Sequence, residues 1–480
     1  MPSYQIGKGQ EVIFRDFAPD LDPTTPGIIL DASNAMPTMK GYAARNTPVN
    51  VFINSLTALP VTPSGAYIAL FSTGAVAIYA AGQGHIYQLQ PGPGWVEVDG
   101  NVVYPATSPY QFTQFNDDVI VTANGLAAPL VATGINGTFV PLGGSPPANA
   151  VAVISVAGFV VFFAGPNWYS SAAGVDNQYV PDIQTLAATG TLYDIPGNVT
   201  AAASLYRSII AFKAGATWVG TFSGAPFTWS FQLISGEVGT YGQGCVVTLP
   251  DSIAFLGTDD FYITTGYTPQ RIPNSLKEWF FQTANLQQLS NVQGWYDPLN
   301  SVIYWHFVSN QTPVAGQLDR YVAFNVRVGR WSTGYLNANL VVQNTQNTQA
   351  ALYGGQGSTS QGGYFFNPKN ILYTWDSAGG VGTAPTTMYV KTGFLGDPDS
   401  LSQLLRFRAK WNVFPESNFA TAFHTDILGK PPILDAMVVG TNDDWKSLRQ
   451  YDRYHQVQFN SFGPAEIVGY AYEARQGGIR

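Results

Sequence analysis

Two acidic pairs, Asp117–Asp118 and Asp259–Asp260, are the first residues of this 480-residue chain that could do chemistry. Two carboxylates at a fixed separation can divide acid and base work on a glycosidic bond. Neighbours on a strand point to opposite faces, however, and aspartates at turns usually accept backbone N–H groups, so both pairs read as turn residues. Asp20, Asp22 and Asp31 fall at the first, third and twelfth positions of a calcium loop. Pro26 replaces a flexible ligand there, Thr25 stands where glycine should turn the chain, and Asp31 is shorter than the usual bidentate glutamate. The spacing therefore reads as an extended arm pinned by prolines. The run GGQGSTSQGG (354–363) lacks the lysine and spacing of a phosphate loop, and no G-x-S-x-G elbow precedes a helix. A single cysteine excludes an intrachain disulfide and, with four scattered histidines, leaves no zinc cluster of the usual Cys/His kind. Cys245, in GQGCVVTL, reads as a small buried side chain, since no neighbouring Lys, Arg or His would lower its pKa. No catalytic, cofactor-binding or metal-binding residue is assigned, and the expectation is a protein that is not an enzyme.

Charge distribution is more informative than any motif. Only 11% of residues are Asp, Glu, Lys or Arg, against about 25% in an ordinary soluble domain, while apolar residues make up 45% and aromatics 14%. A surface that charge cannot cover must be covered by small polar residues or by other subunits, which suggests an assembly component. No Lys or Arg occurs between Arg45 and Arg207, although Glu97, Asp99, Asp117, Asp118, Asp176, Asp182 and Asp194 lie in that stretch. Gripping DNA requires cations against phosphates, so this region can conduct a duplex but not hold it. A pI near 4.9 argues equally against a DNA-binding regulator.

The elements behind these residues read as all-β. Short apolar strands and glycine-rich turns recur at 66–89, 110–133, 150–171, 204–234, 245–266 and 292–309, the last leading into 320–334. A spacing of about 40 residues between four-strand units is that of propeller blades, and six or seven fit between residues 51 and 385. No WD-type signature supports the rhythm, and a series of sandwiches would share it. The uncharged run Pro146–Pro166 approaches the length of a membrane span, but its β-branched content and central Gly158 predict two buried strands, with no membrane span. In SVIYWHF, Ile303, Trp305 and Phe307 alternate with Val302, Tyr304 and His306, so both faces must be covered. His306 then reads as a satisfied core or interface histidine.

One helix is expected near 275–287, with Ser275 and Glu278 forming a capping box ahead of Leu276, Trp279 and Phe280. Residues 1–50 read as a proline-rich extended arm, and the opening MPSYQIGKGQEV shows no secretory signal. From 386 to 480 the composition changes, with ten of the 22 Lys and Arg residues in this stretch, and its strands predict a β-sandwich domain.

Three stretches resemble the tail nozzle, or packaged-DNA-stabilisation, proteins of short-tailed bacteriophages. The first is DFAPDLDPTTPGIILDASNAMPTMKGY, through Pro26, Gly27, Asp31, Asn34, Pro37 and Gly41. The second runs from IIAFKAGATWVGTFSGAPFTWSFQLISGEVGTYGQGCVV into SIAFLGTDDFYITTG and NSLKEWFF. The third joins GWYDPLNSVIYWHF to FNVRVGRWSTG, through Trp295, Pro298, Trp305, Asn325, Arg330 and Trp331. Asp260 departs from the pattern, standing where a glycine is expected before Phe261 and Tyr262.

The resemblance implies a propeller attached to a platform domain formed by the arm and residues 386–480. It further implies six copies forming a tube below the portal and adaptor rings, in contact with the adaptor and with tail fibres or tailspikes. Packaged double-stranded DNA would pass through without sequence-specific binding. Such a chain works in the virion tail, after assembly in the host cytoplasm. The rival reading is a glycan-binding or glycoside-hydrolysing propeller, whose aromatic loops would stack on sugar rings.

Overall fold

The computed structural model describes residues 9–45, 48–50, 57–90, 94–312, 314, 316–342, 350–351, 359–360, 363–374, 387–440 and 445–476. Most of the glycine-rich run at 354–363 lies outside them. Seven four-stranded antiparallel sheets follow one another along the chain and form a seven-bladed β-propeller. Blade one spans 65–97, blade two 111–141, blade three 152–191, blade four 199–235, blade five 246–271 and blade six 293–338. The first strand of each packs against the first strand of the next, and the circle closes where Leu340–Val342 of blade seven meets Gly65–Leu70 of blade one.

Blade seven is assembled from both sides of the ring. Leu340–Val342, Tyr364–Phe366 and Leu372–Thr374 provide three strands, and Val49–Asn50 adds the outermost, pairing Asn50 with Tyr373 and Val49 with Thr374. The count is thus seven, and the closing strand comes from the end of the expected arm. Chain segments from opposite ends of the propeller sequence are tied by hydrogen bonds, which protects a sheet edge that would otherwise be open.

Hydrophobic patterning explains the blades. The segment 146–166 forms Ala152–Val156 and Phe159–Ala164, joined by Ala157 and Gly158 at φ 52° and 83°, the left-handed pair of a tight hairpin turn. Ile154, Val156, Val161 and Phe163 face blade four, whereas Val153, Val160 and Phe162 face blade two. A hairpin covered on both faces has no place for charge, hence the membrane-like composition. In blade six Ile303, Trp305 and Phe307 enter the largest core while Val302 and Tyr304 enter another, and all are buried.

Beside the propeller lie two larger antiparallel sheets built from both chain ends. The first orders Ala35–Pro37, Tyr42–Ala44, Glu466–Gln476, Ser402–Val413 and Lys446–Asp452, with Gln10–Ile13 also on Glu466–Gln476. The second orders Asp16–Phe17, Ile28–Ser33, Met388–Thr392, Tyr454–Phe462, Ser417–Thr425 and Ile433–Gly440, with Leu395–Gly396 also on Tyr454–Phe462. Among the described residues, only the Asp16–Phe17 pairing is parallel. Phe459 of the second sheet meets Phe407 and Tyr470 of the first at ring centroid distances of 5.9 and 5.7 Å. That core continues into the propeller through Cys245, Phe261, Trp305 and Trp331.

The helix is shorter than expected, Lys277–Thr283, followed by a 3-10 segment Leu286–Asn291. The capping box does not form: Leu276 occupies the cap position and offers no side-chain bond. Asp20 of the arm caps the helix instead, its two carboxylate oxygens accepting from Glu278 N at 2.7 Å and Trp279 N at 2.8 Å. Its own N–H donates to the Ser275 carbonyl, so the arm supplies both the bonds and the negative charge that a helix N-terminus lacks.

Candidate functional site

Except for Asp118, whose Oδ1 is buried with no hydrogen-bond partner among the described residues, the aspartates singled out in the sequence serve as local fasteners. Asp117 accepts from Ser72 N and Oγ at 2.7 and 2.5 Å, tying the first hairpin of blade two to that of blade one. Asp259 receives Arg271 Nη2 at 2.8 Å and the Tyr262 hydroxyl at 2.7 Å. Asp260 accepts from its neighbour Phe261 N and from Asn274 Nδ2, which accounts for a buried aspartate at this position. The calcium-like trio separates: Asp20 caps the helix, Asp22 holds Thr24 in its own turn, and Asp31 accepts from Tyr389 and lies 3.7 Å from Arg320. Cys245 is fully buried, and that burial pushes its thiol up to about 12. His306 Nε2 accepts from Trp295 Nε1 at 3.1 Å, and burial holds the ring well below the ordinary histidine range, in its neutral form.

A denser constellation lies where blade six meets the arm. Arg330 Nε donates to the Arg15 carbonyl at 2.8 Å, and its Nη1 reaches the Thr38 and Gly41 carbonyls at 2.8 and 3.1 Å. Asn325 Nδ2 donates to the Pro37 carbonyl, Ser332 Oγ to that of Ala35, and the Tyr42 hydroxyl to that of Trp331. Gly41 is required here, because a Cβ would fall 2.0 Å from the Ile467 carbonyl oxygen. Arg45, almost entirely buried, ends the arm inside an aromatic cage, with its guanidinium 4.2 Å from the Tyr304 ring centre and 5.5 and 5.6 Å from those of Tyr321 and Trp295. Sequence reading noted Arg45 only as the edge of a cation-free stretch. Its cage comes from residues some 250 positions away, beyond the reach of any local pattern.

Asp16 carries this junction's electrostatic cost. Its Oδ1 accepts from Phe17 N at 2.9 Å and Trp331 N at 2.6 Å. Burial nonetheless outweighs these bonds and the nearby Arg330, pushing the carboxyl from 3.8 up to about 7. A carboxyl whose folded pKa is raised binds a proton in the folded state before it does so in the unfolded chain. Its stabilising contribution is therefore complete below the unfolded value and is lost as pH rises towards 7. Asp16→Asn keeps the accepting oxygen and removes the charge. Thermal melts between pH 5 and 8 are expected to show the parent losing stability through this window by up to about 1.4 kcal/mol per pH unit from this group, with that slope absent in the variant. Equal slopes would show that Asp16 does not titrate there.

Two histidine clusters escaped sequence reading. In blade one, His85 Nδ1 lies 3.1 Å from Glu97 Oε1 and 3.2 Å from Asp99 Oδ2. Hairpin register held the signal: Glu97 pairs with Tyr87, so Asp99 comes opposite His85. In the second, His455 stands between Ser402 Oγ and Gln450 Oε1, both at 2.9 Å, while His424 Nδ1 contacts Asp452 Oδ2 at 2.7 Å. Ser402 resembles an activated nucleophile, but its strand is paired on both sides, with Lys446–Asp452 and Glu466–Gln476. The strand residues that follow Ser402 are paired on both sides, and an oxyanion needs free amides.

No protein-family profile matches the sequence, and no curated protein matches it. Among solved structures, the Pan2 WD40 domain of Neurospora crassa is similar, with 10% identity over 72% of this chain and 98% of that one, at a TM-score of 0.41. YCF48 from Cyanidioschyzon merolae shares 10% identity over 70% of this chain and 100% of its own, at 0.40. A fungal alcohol oxidase in complex with copper shares 12% over 90% and 99%, at 0.41. The architecture rests on the seven sheets themselves.

Proposed function

We propose that this chain is a structural subunit of the tail nozzle of a short-tailed bacteriophage, arranged as a ring of six copies that closes the connector, retains packaged DNA and conducts it at ejection. The observation that carries this reading is where the family-like residues meet. Pro37 and Gly41, from the first similar stretch, accept hydrogen bonds from Asn325 and Arg330 of the third, across almost 300 positions. Trp295 of that third stretch helps to enclose Arg45, and Trp331 donates its indole N–H to Pro273, just ahead of the NSLKEWFF segment. The similar residues thus act as fasteners between a propeller and a two-sheet unit, as expected of an assembly part. On this reading the two-sheet unit is the platform lining the channel, and the propeller projects towards fibres or spikes.

The net charge of −8 disfavours a grip on phosphates, and blades one to three contain no Lys or Arg, so any duplex contact falls to the two-sheet unit. The purified full-length chain is expected to give no measurable fluorescence-anisotropy shift with a labelled duplex at about 150 mM salt, a condition under which cation-poor surfaces lose phosphate affinity. Tight duplex binding would overturn the conduit reading.

One observation favours the second reading, a glycan-binding propeller. Tyr206, Phe227 and Tyr267 are exposed at hairpin turns of blades four and five, and a Cβ on Gly266 would lie 3.8 Å from Leu205, so the turns carrying Tyr206 and Tyr267 are neighbours. Binding to a glycan array that Tyr206→Ala and Tyr267→Ala abolish would support that reading.

A further inference from the structure

We propose that His85, Glu97 and Asp99 form a binding site for a first-row divalent cation, with zinc the best match, on the outer hairpin of blade one. This goes beyond the nozzle reading and stands independently of it.

The donor set comes first. One imidazole nitrogen and one oxygen from each carboxylate all lie within 4.8 Å of one another, with His85 Nδ1 at 3.1 and 3.2 Å from the two oxygens. Ligands about 2.0–2.2 Å from a tetrahedral zinc stand about 3.3–3.6 Å apart, so His85 is already close to ligand spacing from both oxygens, and a rotation of the part-exposed Glu97 side chain would bring the two carboxylate oxygens, within 4.8 Å of each other, to it. A mixed nitrogen and oxygen set suits zinc and its neighbours, whereas calcium and magnesium take oxygen alone.

Charge is the second, independent observation. The Asp99 side chain is completely buried, and both ion pairs formed by Glu97 and Asp99 among the described residues run to the same histidine. Two carboxylates facing one imidazole leave negative charge that a single histidine cannot offset, which favours a cation. The nearest Lys or Arg in sequence are Arg45 and Arg207, and Arg45 is committed to the cage in blade six.

Rigidity is the third. Asp99 Oδ2 accepts from Ile86 N and Oδ1 from Asn101 N, both at 3.0 Å, so the buried ligand is held by backbone donors before any ion arrives. His85 and Glu97 keep 27% and 29% of their side-chain surface exposed, leaving one side open for entry and for a coordinating water. The bound ion would pin the segment after Glu97, whose Tyr104 N–H already bonds to the Gly84 carbonyl, against the edge of blade one.

The test uses the tag-free full-length chain, stripped with chelator and titrated calorimetrically with zinc chloride, with magnesium and calcium chloride as comparisons. The expected result is one zinc per chain, binding that weakens from pH 7.5 to 5.5 as the ligands protonate, and little response to magnesium or calcium. Glu97→Gln and His85→Gln keep hydrogen-bonding side chains, and each is expected to weaken zinc binding about tenfold or more while leaving the circular dichroism and melting of the stripped protein unchanged. Zinc should raise the melting midpoint of the parent but not of Glu97→Gln. No stoichiometric zinc would show a purely hydrogen-bonded cluster and overturn the proposal. Equal binding by parent and both variants would also overturn it, by placing the ion elsewhere, as at His424 and Asp452.

Discussion

Trp331→Ala is expected to release the arm from blade six and to destabilise the junction by about 3–5 kcal/mol, the usual loss for a fully buried large aromatic. Trp331 is entirely buried, with ring centroids 4.6 Å from Phe324 and 5.0 Å from Phe261. Its indole N–H donates to the Pro273 carbonyl at 2.9 Å, so one side chain packs on blades five and six and on the approach to the helix. Its backbone carbonyl also receives the Tyr42 hydroxyl, so moving this strand disturbs the arm directly. Hydrogen exchange resolved by segment is the measurement. Protection should fall in Asp16–Phe17, Ile28–Ser33 and Arg330–Ala338 and persist in blades two and three. Trp331→Phe keeps one ring but loses the indole bond and part of the packing, so it should cost less than the alanine variant, about 1–3 kcal/mol. Loss confined to blade six, with the arm still protected, would show that the junction does not depend on this residue.

Arg45→Ala should destabilise by about 2–4 kcal/mol, since a desolvated cation–π contact contributes about 2 kcal/mol or more and the empty cage adds a cavity. Three rings surround this guanidinium, and its backbone N–H donates to the Asn34 carbonyl. Arg45→Met separates the causes. Methionine fills much of the volume without the charge, and a buried charge is itself costly, so substantial recovery would assign the effect to packing. Arg45→Lys should recover only part, because an ammonium cannot present a flat face to the rings. The readout is the denaturation midpoint, together with the rate of protease cleavage within residues 34–50. An unchanged midpoint in Arg45→Ala would remove the cage from the account.

Legibility in the sequence followed the range of the interaction. The hairpin at 152–164 and the strand Val302–Phe307 are legible because burial on both faces leaves a local mark, an uncharged and apolar residue at nearly every position. The blade count stayed at six or seven because the seventh is completed by Val49–Asn50, a pairing that no local rhythm announces. The helix is legible in the sequence, but its cap is not. Ser275 and Glu278 had the right spacing, yet Asp20, more than 250 residues away, brings a carboxylate to the same amides. His85, Glu97 and Asp99 sit on one hairpin, but in the sequence Glu97 and Asp99 read only as charges, and it is strand register that places them beside the histidine. The motif residues Asn325, Arg330, Pro37 and Gly41 were visible as a pattern, and only the fold showed that they bond to one another.

Antibody labelling of purified phage particles, viewed by negative-stain electron microscopy, tests the central claim most directly. Label concentrated on the tail below the capsid vertex is the predicted result. Label on the capsid shell, or particles that carry none, would contradict a passive conduit wall built from this chain.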